Sequence, residues 1–198
     1  MIIGLTGSMG AGKGEVVKIL ERLGFKYVTL SQMVREEARK RGIPEEREKL
    51  MEVGNSMRKK EGPGVLAKRA LQKIQARRHG KWVIDGIRNP AEIQELKKDE
   101  NAHIWGLQAD RDLLISRILK RARPSDPKTH QEVIERVERE WGKGEPPEGQ
   151  QMERCMRHTD ELIENEGSLE ELDKKVMELY NRETENRKHE RNNLSKAK

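Results

Sequence analysis

Residues Gly7 to Gly14 read GSMGAGKG and stand between an apolar run, Ile2 to Leu5, and a segment with Val16, Leu20 and Leu23 at helical spacing before Gly24. Strand, glycine loop and helix in that order make half of a βαβ unit, which narrows the fold sharply. The glycines let the backbone wrap a polyphosphate with its N–H groups inward. The helix that follows points its positive end at the anion, and Lys13 adds a charge for the outer phosphates. A dinucleotide fingerprint is disfavoured: counted from Gly10 and Gly12, the position that needs the last glycine holds Glu15, and a lysine sits inside the loop. The ligand expected is a nucleoside triphosphate, held by Gly7, Ser8, Met9, Gly10, Ala11, Gly12, Lys13, Gly14 and Glu15. The competing reading is a merely flexible turn. The Ser or Thr that usually follows the lysine and binds magnesium is Gly14 here, so a metal must be held through water or by another acid.

Further strands are expected at Lys26 to Leu30, Lys81 to Ile84, His103 to Leu107 and, more weakly, Glu161 to Glu164, with helical patterns between them. Such alternation builds an α/β fold in three layers around a largely parallel, five-stranded sheet. Between the second and third strands lie about 50 residues of helical periodicity, more than a crossover needs, so a helical insertion is expected over residues 31 to 78. Its pieces are a helix from Gln32 to Lys40 ended by Gly42, one opened by Pro44 with Leu50, Val53 and Met57 on a face, and one from Val65 to Arg78 after Gly62-Pro63-Gly64.

Leu114, Ile115, Ile118 and Leu119 mark another helix, broken by residues 122 to 131, where Pro124 and Pro127 make a candidate lid. A helix from Glu132 to Trp141 then leads into the loop GKGEPPEGQ. Ser168 with Glu171 forms a capping box that opens a last helix, expected to end near Tyr180. Residues 1 to 180 therefore read as the globular domain. Residues 181 to 198, with almost no apolar content, read as a basic tail, a frayed helix or disordered.

The chain has 198 residues, 38% of them charged and 33% hydrophobic, with 3% aromatic, so one core of Ile, Leu, Val and Met is expected. A net charge of +6 suits either a polyanionic partner such as nucleic acid or a site for phosphates. The single cysteine, Cys155, excludes an internal disulfide and a cysteine metal cluster, which suits a reducing cytoplasm. The five histidines show no ligand spacing. No apolar run approaches the roughly 20 residues of a spanning helix. The chain enters its first strand without a charged leader, so an untargeted cytoplasmic protein with no membrane partner is expected.

Three more motifs accompany the loop: LSQMVREEA from Leu30, WVIDGIR from Trp82, and DRDLLISRILKRARPSDP from Asp110. With them the sequence resembles the nucleoside monophosphate kinase group of P-loop proteins, whose adenylate kinase members also place glycine after the loop lysine. It resembles more closely a set of archaeal adenylate-kinase-like, dephospho-CoA-kinase-like proteins. The match runs to about Tyr180 and implies a P-loop kinase fold that uses ATP and Mg2+ to phosphorylate a small acceptor, a nucleoside monophosphate.

In the resembled enzymes the second motif binds the acceptor, which makes Arg35 the acceptor-phosphate arginine, although an acid often found where Gln32 stands is missing. Asp85 would orient hydrated magnesium through water, and Arg88 would grip the acceptor. Arg117 and Arg121 would flank the base and the transferring phosphate, with Arg123, Arg136 and Arg139 joining as the lid closes. The resemblance thus implies a catalytic set of Lys13, Asp85, Arg88 and Arg121. Glu164-Asn165-Glu166-Gly167 resembles the loop lining the adenine pocket, which adds Gly167. Glu15 replaces the threonine of adenylate kinases; in the first turn of a helix it complements the dipole.

Taken alone, Ser31 also reads as a helix cap, Asp85-Gly86 as an ordinary turn, and the arginines as a solvated helix face. Two other functions compete with the nucleoside monophosphate kinase. One is a kinase for another acceptor such as dephospho-CoA; the other is a non-catalytic ATP-binding regulatory or nucleic-acid-binding protein that uses the tail KHERNNLSKAK. Scarce aromatic residues rank the last lowest.

Overall fold

The computed structural model describes residues 1–75, 80–124 and 126–196, with side chains to residue 186. The expected end of the third insertion helix at Arg78, His79, Ser125 of the lid stretch, and the side chains of the tail from Arg187 lie outside the described residues. The chain divides into two units, Met1–Glu166 and Gly167–Lys198.

In the first unit, β1 (Ile2–Gly7), β2 (Phe25–Thr29), β3 (Lys81–Ile87), β4 (Ala102–Gln108) and β5 (Glu161–Glu164) form one parallel sheet in the order β2-β3-β1-β4-β5. All six residues of β1 are buried, the unbroken pattern of a central strand with both faces covered. Parallel pairing delivers every strand's carboxyl end to one edge, where α/β sheets hold ligands. Leu5 of β1 and Thr29 of β2 both pair with Asp85, so the glycine loop, Asp85 and the start of the insertion share that edge. The register slips between Leu5 and Thr6, leaving Gly86 unpaired at φ 87°, and this irregularity bends the chain immediately after Asp85.

Helix α1 (Lys13–Arg22) follows the loop and buries Val16, Val17, Ile19 and Leu20. The insertion comprises α2 (Leu30–Lys40), α3 (Arg47–Glu61) and α4 (Val65–Gln75). The cap of α2 is Thr29, whose hydroxyl accepts the Ser31 N–H at 3.3 Å; Ser31 lies inside the helix and is not its cap. The helix begins earlier than expected because the last residue of β2 already supplies that cap. Leu30, Met33, Val53, Met57, Leu66 and Ala70 bury their apolar faces in a core shared with Val28, Ile84 and Ile87 of the sheet.

Two helices escape the periodicity reading: α5 (Pro90–Leu96) and α8 (Met152–Met156), of 7 and 5 residues. Between them come α6 (Arg111–Arg121) and α7 (His130–Trp141). A capping box between Thr129 and Glu132 starts α7 two residues earlier than expected, so His130 and Gln131 of the lid stretch are helical. Ile115, Ile118, Val133 and Val137 from this pair of helices enclose Met9 of the glycine loop in a second apolar cluster.

The second unit is the helix α9 (Leu169–Lys196). Ser168 Oγ accepts the Glu171 N–H and Glu171 Oε2 accepts the Ser168 N–H, both at 3.2 Å, as the capping box predicts. The helix continues past Tyr180, where apolar periodicity ends, because the Glu, Arg and Lys that follow are good helix formers. Among the described residues, no helix is long and apolar enough to cross a membrane.

Candidate active site

The glycine loop is shaped from both sides. Gly7 sits at φ 136°, and a Cβ there would lie 2.2 Å from the carbonyl oxygen of Leu107 in β4, so only glycine lets β1 turn into the loop at this point. Beneath it, Met152 Sδ of α8 accepts the Thr6 hydroxyl at 3.1 Å and the Gly7 N–H at 3.2 Å. Asn165 Nδ2 donates to Ala11 O at 2.9 Å, and Arg117 Nη1 donates to Asn165 O at 2.8 Å, which fastens the loop to the chain after β5.

Lys13 Nζ donates to the carbonyls of Gly7 at 2.5 Å and Ser8 at 3.0 Å, closing the loop on itself. Burial pushes its pKa below the ordinary lysine value; the charges of Asp85 and Glu140 oppose this, and those of Arg88 and Arg121 add to it. Ser8 Oγ is buried without a hydrogen bond among the described residues. Gly14 is exposed, and Glu15 pairs with Lys18 at 2.9 Å in the first turn of α1.

At the end of β3, Asp85 Oδ1 accepts the Gly86 N–H at 2.6 Å, and Tyr27 hydroxyl faces Oδ2 at 3.5 Å. Burial and the Asp85 charge hold the Tyr27 phenol above its ordinary pKa. Arg88 Nη1 donates to Gln150 Oε1 at 3.0 Å, and its Nη2 lies 3.7 Å from Glu140 Oε1. Its backbone is pinned from below: Glu92 Oε2 accepts the N–H groups of Arg88 at 2.8 Å and Asn89 at 3.1 Å. Glu92 Oε1 takes Arg58 Nε at 3.1 Å and Nη2 at 2.9 Å. Glu92 and Arg58 have side-chain exposures of 0% and 6%, so the insertion is tied to the loop after β3 through a buried ion pair.

The insertion, the end of β3, the stretch before α7 and α7 itself line a cleft of about 1030 Å3; Lys13 and the glycine loop, Arg117 and Arg121 are not among its lining residues. Of the expected site residues, Arg35, Asp85, Arg88, Arg136 and Arg139 line it, together with Arg47, Arg58, Glu140 and Gln150, which no motif marked. Arg35 donates to Ser31 Oγ at 3.0 Å and lies 3.5 Å from Glu45. Arg139 pairs with Glu145 at 2.7 Å. Burial lowers the Arg136 pKa, against the pull of Glu140.

Arg121 donates to both oxygens of Asp126, at 2.6 and 2.9 Å, and this pair joins α6 to the lid stretch. Burial resists ionisation of Asp126, but the hydrogen bonds and charge of Arg121 and the Arg123 N–H outweigh it and hold the carboxyl below its ordinary value. Arg123 itself is exposed and is not among the residues lining the cleft. Gly167 belongs to the second unit. Among the described residues, no group of three or more His, Cys, Asp or Glu is arranged to hold a metal. The signals available at Glu140 and Arg47 were only their helical context; nothing local pointed them at a loop 131 residues away from Glu140.

Residues 6–135 match the AAA domain family. A UPF0200 protein of Pyrococcus horikoshii is 34% identical over 187 residues, which cover 92% of this chain and 97% of that one. Among solved structures, a gluconokinase from Sinorhizobium meliloti superposes with a TM-score of 0.55 at 14% identity, over 95% of each chain. A shikimate kinase from Acinetobacter baumannii in complex with shikimate does so at 0.52 and 19%, over 90% of this chain and 92% of that one. The fold is that of P-loop kinases.

Proposed function

The chain belongs to the UPF0200 family and carries an AAA domain, and we propose that it is a phosphotransferase that moves the γ-phosphate of ATP to the phosphate of a nucleoside monophosphate. The observation that carries this reading is a cleft lined by Arg35 of the insertion, Arg88 of the strand end, Arg136 of α7 and Asp85. Guanidinium groups from three elements around one space are what an acceptor phosphate needs.

An acceptor phosphate oxygen is already anionic, so its attack needs positioning and charge neutralisation more than proton removal. In the mechanism proposed, Lys13 and the loop N–H groups hold the donor phosphates, and Arg35 and Arg88 hold the acceptor. Gln150 and Glu92 keep Arg88 in place before substrate arrives. Asp85 fits a role toward Mg2+: its carboxylate is a hard oxygen donor at the cleft with one oxygen anchored by Gly86 N–H, suited to the water shell that this ion keeps. Bound there, the ion would neutralise phosphate charge. In the same reading Arg117 and Arg121 serve the donor side, and the stretch between α6 and α7 with Arg123, followed by Arg136 and Arg139 of α7, closes to exclude water.

A kinase of another acceptor, such as dephospho-CoA, is the second reading: Gln32, where the resembled kinases often place an acid, turns its amide to Glu36 at 2.9 Å and leaves the acceptor open. A coupled assay across all common nucleoside monophosphates and dephospho-CoA, with Mg2+ and ATP and with Lys13→Ala as the blank, separates the readings. Lys13-dependent diphosphate formation from at least one monophosphate is expected; turnover of dephospho-CoA alone would transfer the proposal to the second acceptor, and no turnover would sink both.

A further inference from the structure

Glu140, in the last turn of α7, is an acid the mechanism above does not use. It is 3% exposed, and its carboxylate reaches the glycine loop, where Oε2 accepts the Met9 N–H at 3.1 Å. Oε1 makes no hydrogen bond among the described residues and lies 3.5 Å from Arg47 Nη2 and 3.7 Å from Arg88 Nη2. Lys13 and Arg136 are both within reach of its charge. Burying an ionised carboxylate is costly unless donors and cations surround it. The cluster is therefore an anion site whose anion is supplied by the chain. Its surroundings come from two halves: the donating Met9 N–H and the charge of Lys13 belong to the triphosphate loop, the charges of Arg88 and Arg47 to the proposed acceptor side. Bridging those halves is what a phosphoryl group does in transit.

We propose that Glu140 is a built-in stand-in for the transferred phosphoryl group, displaced when a triphosphate binds, and that Arg47 is a second catalytic arginine that receives that group together with Arg88. This rests on the phosphotransferase reading above. The terminal phosphate prevails in the exchange because it presents more negative charge and one more acceptor oxygen than a carboxylate. A diphosphate lacks that group and leaves Glu140 in place. Since Arg136 and Arg139 ride on the same helix, eviction of Glu140 shifts the residues that close over the cleft, so closure follows the arrival of the donor's third phosphate and not of the nucleotide as such.

The test is calorimetric binding of Mg2+-ADP and of a non-hydrolysable Mg2+-ATP analogue to the wild-type chain, Glu140→Gln and Arg47→Ala. Glutamine keeps an oxygen for Met9 N–H and removes the competing charge. Glu140→Gln is expected to bind the triphosphate analogue about tenfold more tightly, the scale of one charge-assisted contact, with ADP changed less than twofold. Arg47→Ala is expected to weaken the analogue about tenfold and spare ADP. Arg47 has a side-chain exposure of 37% at a helix start, so its variant carries the test if Glu140→Gln does not fold. Unchanged or weaker analogue binding by Glu140→Gln, or equal tightening of both nucleotides, overturns the stand-in role while leaving the phosphotransferase reading intact. Unchanged analogue binding by Arg47→Ala removes that residue. Failure of the wild-type chain to bind either nucleotide overturns both readings together.

Discussion

Glu92→Gln replaces one oxygen of a fully buried carboxylate by an NH2 group in a setting where every neighbour is a donor. The carboxylate receives Arg58 on one oxygen and the N–H groups of Arg88 and Asn89 on the other. Whichever way the amide turns, its NH2 group faces another donor: either Arg58 is left as an unpaired buried cation, or two backbone N–H groups lose their acceptor. Breaking one side of a buried pair costs about 3–5 kcal/mol. Chains of this length lose roughly 2–4 °C of Tm per kcal/mol, so a fall of about 6–20 °C is expected.

Urea unfolding followed by circular dichroism, with calorimetry for Tm, measures both quantities. Arg58→Met tests the same pair from the other side, and the double variant separates pairing from packing. With both substitutions in place, the new amide faces a thioether and the clash between amide and cation is gone, so a coupling of at least about 1 kcal/mol is expected. A Glu92→Gln stability within about 1 kcal/mol of wild type, or simple additivity of the two substitutions, would refute the view that this pair holds the loop after β3. Because Glu92 fixes the Arg88 backbone, acceptor KM should rise even where the variant remains folded.

Gly7→Ala should destabilise by roughly 2–5 kcal/mol, combining backbone strain with the 2.2 Å approach to Leu107 O. Gly14→Ala, with nothing within 4 Å, should be neutral or slightly stabilising, and equal losses at the two positions would contradict the packing argument. Asp126 should titrate below the ordinary carboxyl value by carbon NMR. Its folded pKa is depressed, so its contribution is complete above the unfolded value near about 3.9 and disappears as pH falls through the folded one; titration at or above the ordinary value would dissolve the Arg121 latch. Burial, with the Glu92 charge behind it, pushes the Cys155 thiol up to about 12. Its reaction with Ellman's reagent at mildly alkaline pH should be roughly a thousandfold slower in the native chain than after denaturation, and comparable rates would show the site to be open.

The loop and the strand ends were legible because their roles fall on adjacent residues. Ile2 to Leu5, the glycines and Lys13 declare themselves within one short stretch, and Asp85 and Arg88 follow an apolar run that can only be a strand. Helix α5 was missed although Asn89, Pro90 and Glu92 are strong start signals, because 7 residues are too few to display a helical period. Helix α9 outran its expected end because charged helix formers need no apolar stripe to stay helical. The partners of the phosphate loop were harder to see. Glu140 meets Met9 and Gln150 meets Arg88 only after the sheet brings distant segments to one edge, and no spacing rule encodes such a meeting. Arg121 shows a partner that the motif did not mark, since an acid five residues on, Asp126, receives its guanidinium on both oxygens.

Arg58 lies within the insertion, whereas its counterion Glu92 lies on α5 beyond it. The insertion is therefore not a free cassette: exchanged wholesale without an arginine at this place, it would leave Glu92 buried without its cation and release the Arg88 backbone that Glu92 holds. Under the phosphotransferase proposal, the room to change the acceptor lies in the cleft-lining residues of α2 and α3 such as Arg35 and Arg47, not in that joint.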